Sequence, residues 1–226
     1  MMWTQWGGSW AGLLAAVGMA LLLARPAAYY AWHLPVELEP DLQTRSQERH
    51  ARWKRLFGMA ALVLMAGAGW QLSLTPALLG ACLFIAGCLM LAWIDAETGY
   101  LPDCVTLPLL WLGLLVNLGD TFTPLNMAVL GAVLGYGVLW AVNQSFLLST
   151  GKHGMGYGDF KLLAALGAWL GAPALPTVVL AGSVLGLLAA LVLRLTGRMQ
   201  AGQALHFGPY LVAGGVFSLF TLPVFL

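Results

Sequence analysis

The sequence predicts an all-α fold, a polytopic membrane bundle of about eight transmembrane or membrane-embedded helices, each full span needing ~20 mainly apolar residues. Two observations carry this. Hydrophobic residues make up 60% of the chain and charged residues only 8%, against about a quarter charged in an ordinary soluble domain. The mean hydropathy is +0.83, and the few charges gather in short stretches between long apolar runs. Composition thus excludes a soluble globular domain, and a net charge of +1 gives no electrostatic basis for a nucleic-acid partner.

The first apolar segment runs from about 8 to 24 and stops at Arg25-Pro26. The preceding MMWTQW carries no positive side chain, so the segment reads as an anchor rather than a cleaved leader. Residues 25 to 55 form the one long polar stretch and read as a loop. Two spans follow, near 56 to 74 and 77 to 94, separated by Thr75-Pro76 as a tight helical hairpin. A fourth segment runs from about Cys104 to Leu118, with Asp103 placed as its N-cap and Pro108 near its first turn, where a missing N–H does least harm. The fifth, about 125 to 148, leads through Lys152 and His153 into a glycine-rich turn. The sixth, about 160 to 171, is too short to cross alone and ends at Gly171-Ala172-Pro173. Segments at about 175 to 196 and 209 to 225 complete the set. The expected organisation is one membrane domain over 1–226, with 25–55 as a cytoplasmic loop and 56–226 as the core.

Orientation follows from where Lys and Arg fall. Arg25 and five basic residues between 45 and 55 share the first long loop, Lys152 and Lys161 flank the glycine turn, and Arg194 and Arg198 end the seventh span. All land on one face, which is expected to be cytoplasmic, with both termini on the other side.

Within GMGYGDFKLLAALGAWLG, residues 154 to 171, Asp159 sits on a turn whose glycines at 154, 156 and 158 are expected to admit other backbone closely. Asp95 ends the third segment on the same side of the membrane. Each has a bland reading: Asp159 as an ordinary N-cap, and Asp95 as a solvated loop acid followed by Glu97 and Asp103. Pairing favours chemistry, because two adjacent carboxylates do not both ionise easily and titrate as a unit. One member then serves as base toward water while the other donates a proton to a peptide carbonyl. The chain has neither an HExxH zinc motif nor a GxSxG nucleophile motif, which leaves these acids as the candidates. Cys82, Cys88 and Cys104 form no CxxC pair, and no metal or disulfide is assigned to them. His33, His50, His153 and His206 show no ligand spacing, and Gly131 and Gly135 read as helix packing.

At these residues the chain resembles the type IV prepilin peptidases, membrane aspartic proteases of the GxGD class. IDAETGYLPDCVTLPLLWLGLLVN, from Ile94 to Asn117, is similar to their first motif and the glycine-turn segment to their second. FGPYLVAGG, Phe207 to Gly215, is a weaker third echo, and the similarity covers roughly Ala51 to the C-terminus. The resemblance implies that Asp95 and Asp159 are the catalytic pair, that Gly156 and Gly158 shape the catalytic turn, and that Asp103 is a supporting acid. Lys161 is expected to meet a nearby acid or lipid headgroups. It also implies a bacterial inner-membrane enzyme of type IV pilus or type II secretion systems. Such an enzyme removes a basic leader from prepilin or pseudopilin substrates, after a glycine and at the cytoplasmic face, with no cofactor for the proteolysis.

Longer members of that family carry a cytoplasmic domain with two zinc-binding CxxC pairs between their first two spans, whereas residues 25–55 here contain no cysteine. The family's N-methylation of the new terminus, which uses S-adenosylmethionine, is linked to that longer region. The reading is therefore of a short form with peptidase activity. Two rival readings use some of the same features. An ion- or proton-coupled transporter also uses intramembrane acids, but it calls for acids nearer the midplane and a repeat between halves. A presenilin-like protease shares GxGD, but its first acid follows tyrosine, and here Ile94 precedes Asp95.

Overall fold

The computed structural model describes residues 9–38, 47–151, 155–197 and 205–221, with the backbone alone at 35–38 and 47–52. Among the described residues all regular structure is helical: α1 Trp10–Leu38, α2 Gln47–Leu72, α3 Pro76–Thr98, α4 Asp103–Val116, α5 Leu125–Thr150, α6 Tyr157–Leu170, α7 Leu175–Leu195 and α8 Gly208–Thr221. Five stretches, Trp10–Leu34, Trp53–Leu72, Pro76–Thr98, Leu125–Thr150 and Ala172–Leu195, are long and apolar enough to cross a bilayer. Helices α4, α6 and α8 have 14 residues each. At a rise of 1.5 Å per residue such a helix covers about 21 Å, less than the ~30 Å hydrocarbon core. The result is an all-α membrane bundle that mixes full spans with shorter embedded helices.

The chain clusters into two compact units, Met1–Met90 and Leu91–Leu226, with the boundary inside α3. In the first unit α1 and α2 pack closely because Gly12 and Gly69 bring the two backbones together; a Cβ on either would run into the other's carbonyl. Trp10 and Trp70 meet edge to face at 5.7 Å.

Several boundaries differ from expectation. Helix α1 continues through Pro26 to Leu38, and α2 begins at Gln47, so most of the stretch expected as a loop over 25–55 is helical. Proline deletes one helical N–H bond but does not forbid the helix. The charged residues of QERHARWKR include good helix formers that a hydropathy reading passes over. Helix α3 also runs past its expected end, carrying Asp95 and Glu97 in its last turns. The stop is set by Gly99, whose φ of 69° is the left-handed conformation of a terminating glycine and whose N–H bonds the Asp95 carbonyl at 2.8 Å.

The second unit is built on α6, which is buried at Phe160 and from Leu162 to Leu170 and packs against α4, α5 and α8. Gly131 of α5 faces Gly167 of α6 so closely that neither has room for a side chain, and Gly135 lies against the Leu163 carbonyl. Helices α4 and α6 run parallel, tied near both ends. At the far end Asn117, fully buried, donates to the carbonyls of Ala168 and Trp169 at 2.9 and 3.0 Å and accepts from Phe122 N–H. Trp169 Nε1 donates to the Leu109 carbonyl at 2.8 Å, with its ring filling the space left by Gly113.

Candidate active site

The near ends of α4 and α6 carry the acids. Asp103 is not the N-cap expected of it, nor is Asp159 the N-cap of its bland reading: Pro102 and Gly156 occupy those positions, with no side-chain cap bond, and both acids lie in the first helical turn. Freed from capping, the Asp103 carboxylate receives Lys161 Nζ on both oxygens, at 2.6 and 2.8 Å. That ion pair bridges the starts of the two helices two residues from Asp159.

The glycines of the turn act differently from what their spacing predicts. A side chain at Gly158 would meet Leu101, at 2.9 Å from its Cβ, so this glycine lets a leucine side chain, not backbone, approach. Gly156 has extended backbone, φ −74° and ψ 145°, and open space where a Cβ would stand. Gly154, Lys152 and His153 lie outside the described residues. The turn is also held from α5, where buried Asn143 accepts the Met155 N–H on Oδ1 at 3.2 Å.

Asp95 is only 4% exposed, deep for an acid in a mainly apolar helix. Its Oδ2 accepts the Gly208 N–H at 2.9 Å, the first residue of α8. His206 lies close enough to act on Asp95 electrostatically. Its ring covers Gly99, where a Cβ would come within 2.9 Å of Nε2. Asp159 lies outside the five spanning-length stretches. Burial first and the neighbouring Asp95 carboxylate second push its pKa up to about 7. The fold thus brings into electrostatic reach two acids separated by 64 residues of sequence.

Gly208, His206 and Asn143 were not singled out by sequence as site residues. A glycine directly before a proline at a helix start, and one amide inside the apolar α5, were the available signals. Among the described residues no group of three or more His, Cys, Asp or Glu side chains gathers to hold a metal, and Cys82 and Cys88 are buried.

Residues 82–191 match the type IV leader peptidase family. By this segment the chain is similar to members of that family. Three similar proteins are each named prepilin leader peptidase/N-methyltransferase. The one from Dickeya chrysanthemi is 53% identical over 156 residues, 69% of this chain and 54% of its own length. That from Burkholderia pseudomallei (strain 1026b) is 50% identical over 165 residues, 73% and 53%. The Neisseria gonorrhoeae protein is 49% identical over 153 residues, 68% and 52%. The chain therefore spans about half the length of these curated relatives. No solved structure matches it. The segment that matches the leader peptidase family includes Asp95, Asp103, Asp159 and Lys161, while Gly208 lies beyond it.

Proposed function

We propose that this chain is an aspartic endopeptidase that removes the basic leader from type IV prepilins or type II secretion pseudopilins, with residues 56–226 as the peptidase core. The observation that carries the reading is the electrostatic pairing of buried Asp95 with Asp159 inside a segment that matches the leader peptidase family. A pair that shares one proton supplies a base and an acid at once.

The ionised carboxylate takes a proton from water as the water oxygen bonds to the carbonyl carbon of the residue preceding the cut, a glycine in this proposal. The protonated carboxyl gives its proton to the carbonyl oxygen, forming a neutral tetrahedral diol. As the C–N bond breaks, the first carboxyl passes its proton to the leaving nitrogen. One diol hydroxyl returns a proton to the second carboxylate, and the starting protonation is restored.

The Lys and Arg distribution supports a site on the cytoplasmic face of a bacterial inner membrane. There a basic leader stays in water while the apolar helix that follows it lies in lipid. Cleavage needs no cofactor in this proposal. N-methylation of the new terminus, an activity also in the relatives' names, is a separate matter: incubating the purified chain and cleaved substrate with labelled S-adenosylmethionine decides it.

The test is leader removal from a purified prepilin by the chain in detergent or nanodiscs. Asp95→Asn and Asp159→Asn should each lower kcat by ~100-fold or more, the scale of a lost general acid or base. Wild-type processing by either folded variant rules the reading out.

A further inference from the structure

Helix α8 touches Asp95 and the helix that carries Asp159. Its first residue, Gly208, donates its N–H to Asp95 Oδ2, and further along Gly215 packs against Leu166 of α6, the helix that bears Asp159. The Gly208 site is built tightly around the carboxylate: Gly208 is buried, and a Cβ there would stand 2.7 Å from Asp95 Oδ2 and 2.9 Å from Cγ. Under about 3 Å something must move, and the neighbour that would move is Asp95 itself. Pro209 follows, fixing φ at the helix start and lacking an N–H that would compete for the carboxylate. Before Gly208, His206 lies over Gly99, the glycine that ends the helix carrying Asp95. The approach of α8 to Asp95 is therefore anchored on both sides of the hydrogen bond.

The bond occupies one oxygen of Asp95 only. The donor geometry places the Gly208 N–H on Oδ2. A carboxylate with one oxygen fixed by an inflexible backbone donor is held in orientation, as a general base must be to meet a water within ~3 Å.

We propose that Gly208 is a positioning residue of the active site, its backbone N–H fixing Asp95 Oδ2 so that Oδ1 faces the attacking water and Asp95 serves as the base. This rests on the peptidase reading above and deepens it. It gives the Phe207-Gly208-Pro209-Tyr210 segment, distant in sequence from both acidic motifs, a place in the same chemistry.

The full chain in nanodiscs tests it by two measurements. Gly208→Ala displaces Asp95, so kcat for leader removal should fall ~100-fold or more while KM stays within about threefold, the pattern of an interaction made in the transition state. Independently of activity, the Gly208 amide proton in 15N-glycine-labelled chain should resonate downfield, as a donor to a carboxylate. It should move upfield in Asp95→Ala and hold its place in Asp159→Ala. This second readout stands even where Gly208→Ala does not fold. Wild-type kcat in folded Gly208→Ala, or an amide that does not respond to Asp95→Ala, overturns the positioning role; equal changes in kcat and KM do the same. If the two Asp→Asn variants are inactive while Gly208→Ala is not, the peptidase reading stands and only this inference falls. If Asp95→Asn cleaves normally, the peptidase reading itself fails.

Discussion

Lys161 Nζ contacts both carboxylate oxygens of Asp103, at 2.6 and 2.8 Å, across the starts of the two parallel helices α4 and α6. The pair is partly solvated, with side-chain exposures of 30% and 51%, so its worth to stability is at most about 1 kcal/mol. Its position two residues from Asp159 matters more than its energy.

Removing either partner should therefore weaken catalysis without abolishing it. Asp103→Ala and Lys161→Ala are expected to lower kcat by roughly three- to tenfold, a barrier change of about 1 kcal/mol, with thermal unfolding little moved. The exchange Asp103→Lys with Lys161→Asp should recover part of the loss. Steady-state kinetics of the four proteins checks this; no recovery on exchange would mean the ion pair is not what the singles removed.

Asp159 gives a dependence on pH with a definite sign. Its pKa in the fold, about 7, lies above the ordinary 3.8, so the fold binds its proton more tightly than the unfolded chain does. The associated stability is fully present below about pH 4 and is lost as pH rises through about 7. Asp159→Asn cannot ionise, so its stability relative to wild type should grow across that interval, read by thermal unfolding at a series of pH values. In kinetics, loss of the shared proton should bring a falling limb in kcat near pH 7.

Asn143 is a polar group inside an apolar spanning helix, and it holds the turn before Asp159 through Met155 N–H. Asn143→Leu leaves that donor without this acceptor, a cost of about 1–3 kcal/mol. Both a lower unfolding temperature and a lower kcat are expected. Asn143→Asp, which keeps an acceptor, should retain more activity than the leucine variant in the same assay.

The close approach of α5 and α6 rests on Gly131 and Gly167. Gly167→Val places two methyl groups against backbone that cannot yield, costing about 1–3 kcal/mol or more. The expected outcome is an unstable protein with reduced recovery from the membrane, while Gly137→Ala, in open space on the facing helix α5, should behave like wild type. Unfolding curves of the two variants in one detergent distinguish them.

Much of this was legible in the sequence because membrane helices announce themselves by apolar length, and all eight segments correspond to helices. Their ends were less legible. Hydropathy stopped α1 at Arg25-Pro26 and α3 before Asp95, whereas the structure stops α3 at Gly99, where backbone conformation rather than polarity decides. The acids could be picked out as anomalies and Lys161 as the partner of some acid, but which residues pair could not be read. Lys161 with Asp103, Gly208 with Asp95 and Asn143 with Met155 join positions 58, 113 and 12 residues apart. No periodicity encodes such pairings, which come from the packing of whole helices around α6.

The most direct test of the central claim is a double-mutant cycle on leader cleavage with Asp95→Asn, Asp159→Asn and the double variant. If the two carboxyls work as one proton-sharing unit, each single change costs ~100-fold or more in kcat, and the double variant is no slower than the slower single. Losses that multiply in the double variant, or a single variant that cleaves at the wild-type rate, would contradict it.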